Sequence, residues 1–171
     1  ILPLLEKYGM TAVFSVVGDY IEMEENEKER NVNYSYLNWE EIDYLNKTGL
    51  VEIGNHTSSL HSDNGRRGAC IMNGENADEY QAMLKADIGG LQRKLKENSG
   101  VEPIIFTYPY GFFCKESVPV LKELGFKATF ICSERANYIS RNENTLYGLN
   151  RYNRPYGINT ADFMDKVLTE K

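Results

Sequence analysis

The sequence predicts an α/β fold in which short parallel strands alternate with helices, as an open sheet or closed into a barrel. Three observations carry this. Short runs rich in β-branched and aromatic residues recur along the chain. Segments between them place apolar residues at helical spacing. Glycine or a proline–glycine turn stands at most of the junctions.

Ile1, Leu4, Leu5 and Tyr8 share one helical face, and Gly9 stops that helix. Thr11 to Val17, TAVFSVV, reads as a buried strand. Residues 18–36 are polar, with an acidic run from Glu22 to Glu29, and read as an exposed excursion. Asn38 with Glu41 fits a capping box opening a helix over Trp39 to Lys47. Leu50 to Ile53 is a second strand, and residues 54–75 read as a long loop. Asn76 with Glu79 opens the next helix, which carries Tyr80, Leu84, Ile88, Leu91 and Leu95 on one face through Gly89-Gly90. Ile104 to Thr107 is a third strand, ended by the turn Tyr108-Pro109-Tyr110-Gly111. A helix over Ser117 to Leu124 and a strand over Lys127 to Cys132 follow. A short strand near Tyr147 to Asn150 and a helix over Ala161 to Leu168, capped by Thr160, complete the pattern.

The 171 residues read as one domain, large enough to bury a core without staples. Lysine and arginine number 19 against 25 acidic residues, a net charge of −6. That balance argues against nucleic acid and anionic membrane as partners, since both call for basic patches. No apolar run approaches the ~20 residues of a membrane span. The chain opens on Ile1 without a secretion-type leader and reads as part of something longer. Cys70, Cys114 and Cys132 are far apart and form no CxxC pair, so they read as idle or buried thiols.

In folds of this class the working residues sit at the carboxyl ends of strands. The second strand ends in Asn55-His56-Thr57-Ser58-Ser59-Leu60-His61, which holds both of the histidines in the chain. A five-residue step shares neither a helix face nor a strand face, so the two imidazoles converge only if the loop folds back. Converged neutral imidazoles suit zinc or a similar divalent ion. Spacing alone leaves open that both are surface or capping residues, because two ligands do not make a site, and Asp63 nearby reads more readily as a turn former. The third strand ends in the aromatic cluster Tyr108, Tyr110, Phe112 and Phe113, whose flat faces suit either sugar rings or packing.

These residues carry a resemblance. The chain is similar to the polysaccharide deacetylase (NodB-homology) family, carbohydrate esterase family 4. ILPLLEKYGMTAVFSVVG resembles the helix and second strand that follow that family's first motif, VEIGNHTSSLH its second motif, FTYPYG its third, and LGFKATF the strand after it. The His56-to-His61 spacing is one residue longer than the commonest form. It is similar to the variant in deacetylases of poly-N-acetylglucosamine exopolysaccharide. The likeness runs from Ile1 to about Arg154.

The resemblance implies a distorted (β/α) barrel, here lacking its first strand. It also implies a divalent metal, zinc by expectation, held by His56, His61 and an aspartate. A neighbouring aspartate would act as general base, and the backbone N–H of Tyr110 would bind the oxyanion. Thr57 would stand behind the ligands, its hydroxyl holding the loop, and Tyr108, Pro109 and Phe112 would meet substrate. The implied reaction removes acetyl groups from an N-acetylated polysaccharide, whether peptidoglycan, chitin-like or exopolysaccharide, at the cell envelope or outside it. The chain also departs from the family pattern. No Asp-Asp pair occurs in it, Thr107 stands where the family has arginine, and no histidine follows His61. The aspartates are therefore expected upstream of Ile1, and Arg151 is a candidate for steadying a carboxylate. The alternative reading is a deacetylase-like domain that binds metal or glycan without hydrolysis.

Overall fold

A computed structural model describes residues 1–27, 29, 31 and 34–169. The order of elements is α1 (Leu2–Tyr8), β1 (Ala12–Val16), α2 (Gly18–Asn26), α3 (Trp39–Lys47), β2 (Val51–Asn55), α4 (Ala77–Ser99), β3 (Ile105–Thr107), α5 (Val118–Glu123), β4 (Ala128–Phe130), β5 (Tyr147–Leu149) and α6 (Thr160–Thr169). The strands form one parallel sheet in the order β1-β2-β3-β4-β5. Each strand therefore lies beside its successor, as right-handed βα units dictate. Among the described residues the sheet is open, with β1 and β5 at its edges.

Two apolar clusters hold the helices to the sheet. One joins Leu91 and Leu95 of α4 to Leu5, Val16, Ile42, Val51 and Ile53. The other joins Tyr80, Leu84 and Ile88 to Phe106, Tyr108, Leu121 and Phe126. The α4 stripe expected from spacing is thus the seam between both halves. Gly89 lies on that seam, where a Cβ would meet Leu124 Cδ2 at 3.2 Å. Asn38 closes the expected capping box with Glu41, and Asn76 accepts from the N–H groups of Asp78 and Glu79.

The structure corrects four readings. The polar stretch after β1 contains helix α2, whose acidic run is not a solvated face throughout. Ile21 is buried against the core, and the Glu24 carboxylate, also buried, accepts from the Tyr36 N–H at 2.9 Å. The remainder of that run includes Lys28, which lies outside the described residues. β1 is not a buried strand. Val13 and Phe14 are 42% and 46% exposed, and among the described residues the strand has a neighbour on one side only. α6 is capped by Asn159, whose Oδ1 accepts from the Asp162 N–H, and Thr160 lies inside the helix. Of the thiols, Cys114 is buried but Cys132 is exposed and accepts from Arg151.

Candidate functional site

The site is built on the carboxyl ends of β1, β2 and β3. The ladder continues one step past β2, since the His56 N–H donates to Val16 O at 2.9 Å. The chain then reverses at Thr57, which takes φ 74°, a left-handed conformation rare for a β-branched residue. That reversal is the fold-back an odd histidine spacing requires. It brings the imidazoles of His56 and His61 to 4.9 Å between ring centroids.

The loop is held from three sides. Asn55, fully buried at the end of β2, accepts the Thr57 N–H on Oδ1 and donates through Nδ2 to Ile88 O and Gln92 Oε1. The first N–H groups of α2, from Gly18 and Asp19, donate to the carbonyls of Thr57 and Ser58 at 3.0 and 2.9 Å. Gly18 is required for that approach, because a Cβ there would lie 2.9 Å from Ser58 Cα. From α4, the carboxylate of Asp87 accepts both the Ser58 and Ser59 N–H at 2.8 Å. Burial raises the Asp87 pKa, while those two bonds oppose the rise. The Thr57 hydroxyl does not serve as expected. Its Oγ1 is buried and finds no hydrogen-bond partner among the described residues, so backbone and Asn55 hold the loop in its place.

The two imidazoles are supported differently. His56 Nδ1 lies 2.6 Å from the Thr107 carbonyl. A carbonyl only accepts, so Nδ1 carries the proton and the Nε2 lone pair is left for a ligand. Burial first, and then the nearness of His61 and Arg151, lower the His56 pKa to about 4 against the Thr107 bond, which keeps the His56 ring neutral. His61 Nδ1 lies 3.1 Å from the Tyr20 hydroxyl.

His56 lines two cavities. One, of about 280 Å³, is walled by Phe14, Tyr20, Tyr36, Leu37 and His61. The other, of about 300 Å³, is lined by Val13, Ser15, Thr107, Phe130 and Arg151. Arg151 donates from Nε to Ile131 O and from one terminal nitrogen to Cys132 Sγ, and no acidic side chain pairs with it among the described residues. Thr107 is not a charge in this wall; its hydroxyl bonds Ser15 Oγ at 2.7 Å.

The third-strand turn divides its aromatics. Tyr108 is fully buried, its hydroxyl on Ser117 Oγ at 2.6 Å, and Pro109 is buried beside it. Neither side chain is placed to meet substrate, contrary to expectation: Tyr108 packs in the core with its ring 5.0 Å from that of Phe106, and Pro109 is covered by the loop at Gly68. Tyr110 takes φ 55° and turns outward, 46% exposed, with its ring 4.8 Å from that of His61. Phe112 stacks on Tyr110 at 5.8 Å and carries Arg67 on its face at 4.1 Å. Tyr110 and Phe112, but not Tyr108, thus extend the histidine cleft.

A catalytic zinc site uses three protein ligands, of which His56 and His61 could supply two. The close approach of the two rings, and the His56 Nε2 lone pair left by its Nδ1–H bond to the Thr107 carbonyl, fit a divalent cation. No group of three His, Cys, Asp or Glu is assembled among the described residues, and Asp63 is exposed. Sequence reasoning missed Tyr20, Asn55 and Asp87. Asn55 had a signal, since Asn habitually accepts from the N–H two residues on. The others come from distant segments.

A family model described as polysaccharide deacetylase matches residues 1–146. The chain belongs to the polysaccharide deacetylase family. Among curated relatives, the poly-β-1,6-N-acetyl-D-glucosamine N-deacetylase of Staphylococcus aureus (strain MSSA476) is 27% identical over 145 residues, which is 85% of this chain and 46% of that protein. The chain thus spans about half the length of that relative. Among solved structures, a de-N-acetylase from Aggregatibacter actinomycetemcomitans aligns with a TM-score of 0.75 at 21% identity, over 96% of this chain and 68% of that one. The Streptococcus pyogenes deacetylase PplD, in complex with acetate, aligns with a TM-score of 0.69 at 17% identity, over 96% and 62%. The fold is therefore that of polysaccharide deacetylases, with the sheet open among the described residues.

Proposed function

We propose that this chain carries the histidine half of a metal-dependent polysaccharide N-deacetylase that releases acetate from an N-acetylglucosamine-containing polymer at the cell envelope or outside it. One observation supports this above others: His56 and His61 converge at 4.9 Å, with His56 Nδ1 committed to the Thr107 carbonyl, beside the outward-turned Tyr110. A bound divalent cation, zinc by the donor set, lowers the pKa of water toward neutrality and polarises an amide carbonyl.

This chain's residues then have separate tasks. His56 and His61 hold the cation as neutral ligands. The Tyr110 N–H, at the left-handed turn, donates to the oxygen that gains charge as the acetamide carbon becomes tetrahedral. Tyr110 and Phe112 offer stacked faces to a sugar ring. Arg151, in the cavity behind His56, steadies a carboxylate supplied from outside the described residues, which serves as third ligand or general base. The relative from Staphylococcus aureus favours poly-β-1,6-N-acetylglucosamine over peptidoglycan or chitin-like polymers as the substrate.

The test is acetate release from N-acetylated β-1,6-glucosamine oligomers by the full reading frame, with zinc and after chelation. Zinc-dependent release that is lost in His56→Ala and His61→Ala is the expected result. Thr107, in place of the family's arginine, favours a second reading, a domain that binds glycan or metal without hydrolysis. Binding of the oligomers with no acetate released by any divalent metal would select it.

A further inference from the structure

We propose that Tyr20 is a positioning residue for His61, its hydroxyl fixing the imidazole so that Nε2 is presented to the cleft shared with His56. The inference rests on the metal-centre reading above and adds to it a residue outside the three family motifs.

His56 takes its orientation from a main-chain carbonyl, which no substitution removes. His61 sits beyond the fold-back, where no strand neighbour is at hand. The Tyr20 hydroxyl, 3.1 Å from Nδ1, is the partner the described residues give that nitrogen. A phenol oxygen accepting from Nδ1–H leaves the lone pair on Nε2, the nitrogen a metal then takes.

The phenol is itself held in place. Its ring stacks on Tyr36 at 4.3 Å with 18° between planes and meets His61 edge-on at 5.5 Å. Tyr36 is tied to α2 through the Glu24 carboxylate. The residues just before Tyr20 are bonded to the histidine loop itself, through the Gly18 and Asp19 N–H groups and through Asp19 Oδ1, which accepts from Ser59 Oγ at 2.8 Å. The first turn of α2 therefore moves with the loop it supports. Its hydroxyl is delivered to His61 by a rigid path rather than by a free side chain.

The experiment is run on the full reading frame and compares the wild-type protein with Tyr20→Phe, using Tyr36→Phe as control. The control removes a hydroxyl bonded to Tyr34 and leaves the stacked ring. Imidazole 15N shifts of the metal-free protein read the tautomer directly. His61 is expected as the Nδ1–H form in the wild type and in Tyr36→Phe, and as a tautomer mixture in Tyr20→Phe, with His56 unchanged in all three. Co²⁺ titration, followed by visible absorption, is then expected to show affinity lower by roughly 10–100-fold in Tyr20→Phe alone. An unaltered His61 tautomer in Tyr20→Phe overturns the proposal. So does equal Co²⁺ affinity in wild type and Tyr20→Phe, which leaves the metal centre itself standing. A wild-type chain that takes up no Co²⁺ through His56 and His61 removes the metal reading, and a positioning role with it.

Discussion

Gly111 is where the fold and the proposed oxyanion donor depend on one missing methyl group. It has φ 73°, and a Cβ built on it would lie 2.5 Å from Cys132 N and 2.6 Å from Cys132 Cβ. Two costs follow for Gly111→Ala. The left-handed backbone costs about 1–2 kcal/mol for a residue with a Cβ. The overlap falls first on the Cys132 backbone nitrogen, which has no rotamer to escape into, and relieving it by moving the turn away from Cys132 costs about 1–3 kcal/mol. The sum is about 2–5 kcal/mol, which lowers Tm by ~4–20 °C for a chain of this length. Gly100→Ala isolates the first cost. Gly100 closes α4 at φ 67°, and a Cβ there meets nothing within 4 Å. Its Tm is expected to fall by only ~2–8 °C. Thermal unfolding of both variants by circular dichroism gives the difference, which is the steric part alone. Acetate release should fall further in Gly111→Ala than its folded fraction accounts for, because the displaced turn carries Tyr110. Equal melting of the two variants would refute the argument that close packing, rather than φ, fixes this glycine.

Three further outcomes are expected. Thr57→Val keeps the shape of a buried side chain while removing a hydroxyl without a partner, so it should hold Tm or raise it by ~2–4 °C; a clear fall in a melting curve would show that the hydroxyl does hold the loop. Asp87→Ala strips the acceptor from two loop N–H groups and should cost about 2 kcal/mol, with hydrogen exchange quickened at Ser58 and Ser59 and Co²⁺ affinity lowered. Unchanged exchange at those two amides would sink that view of the clamp. Glu75 is held below the ordinary carboxylate range chiefly by its bond to Arg66, also by the Met72 N–H, against desolvation. A depressed folded pKa gives stability that is complete above the unfolded value and lost as pH falls through the folded one. Wild type should therefore exceed Glu75→Gln in urea resistance near neutrality, and the gap should close on acidification below the normal carboxylate pKa. A gap independent of pH would mean that the Arg66–Glu75 pair contributes packing only.

The sequence shows most plainly what depends on near neighbours. The caps at Asn38 and Asn76, the α4 stripe and the alternation of strand and helix are all local patterns, and all five stripe residues are buried. The convergence of His56 and His61 was legible as a condition, a loop that folds back, but not as a fact. Its cause lies in Asn55, Gly18 and Asp87, which meet only when α2 and α4 dock. Helix α2 was hidden because Ile21 is its one large apolar residue in the core; the helix is anchored by polar bonds from Glu24 and its own N-terminal N–H groups. The exposure of β1 is an edge property that no window of residues encodes. The split between Tyr108 and Tyr110 is set by one left-handed residue, so identical side chains two positions apart end in core and cleft.

The strain at Thr57 ties these pieces together. A β-branched residue at φ 74° costs of order 1–3 kcal/mol and persists only where its surroundings over-determine it. Here the surroundings are five hydrogen bonds from three elements: the Thr57 N–H on Asn55, the Thr57 and Ser58 carbonyls on the α2 N-terminus, and the Ser58 and Ser59 N–H on Asp87. Each is worth about 0.5–1.5 kcal/mol net, more where Asp87 carries charge, so together they exceed the strain. None of them touches an imidazole. The fold thus fixes the loop backbone first, which delivers His56 to a strand carbonyl. The one degree of freedom left, the rotation of the His61 ring, falls to the Tyr20 hydroxyl. A centre assembled in that order should lose ligand orientation before it loses loop structure, and Tyr20→Phe and Asp87→Ala probe those two layers separately.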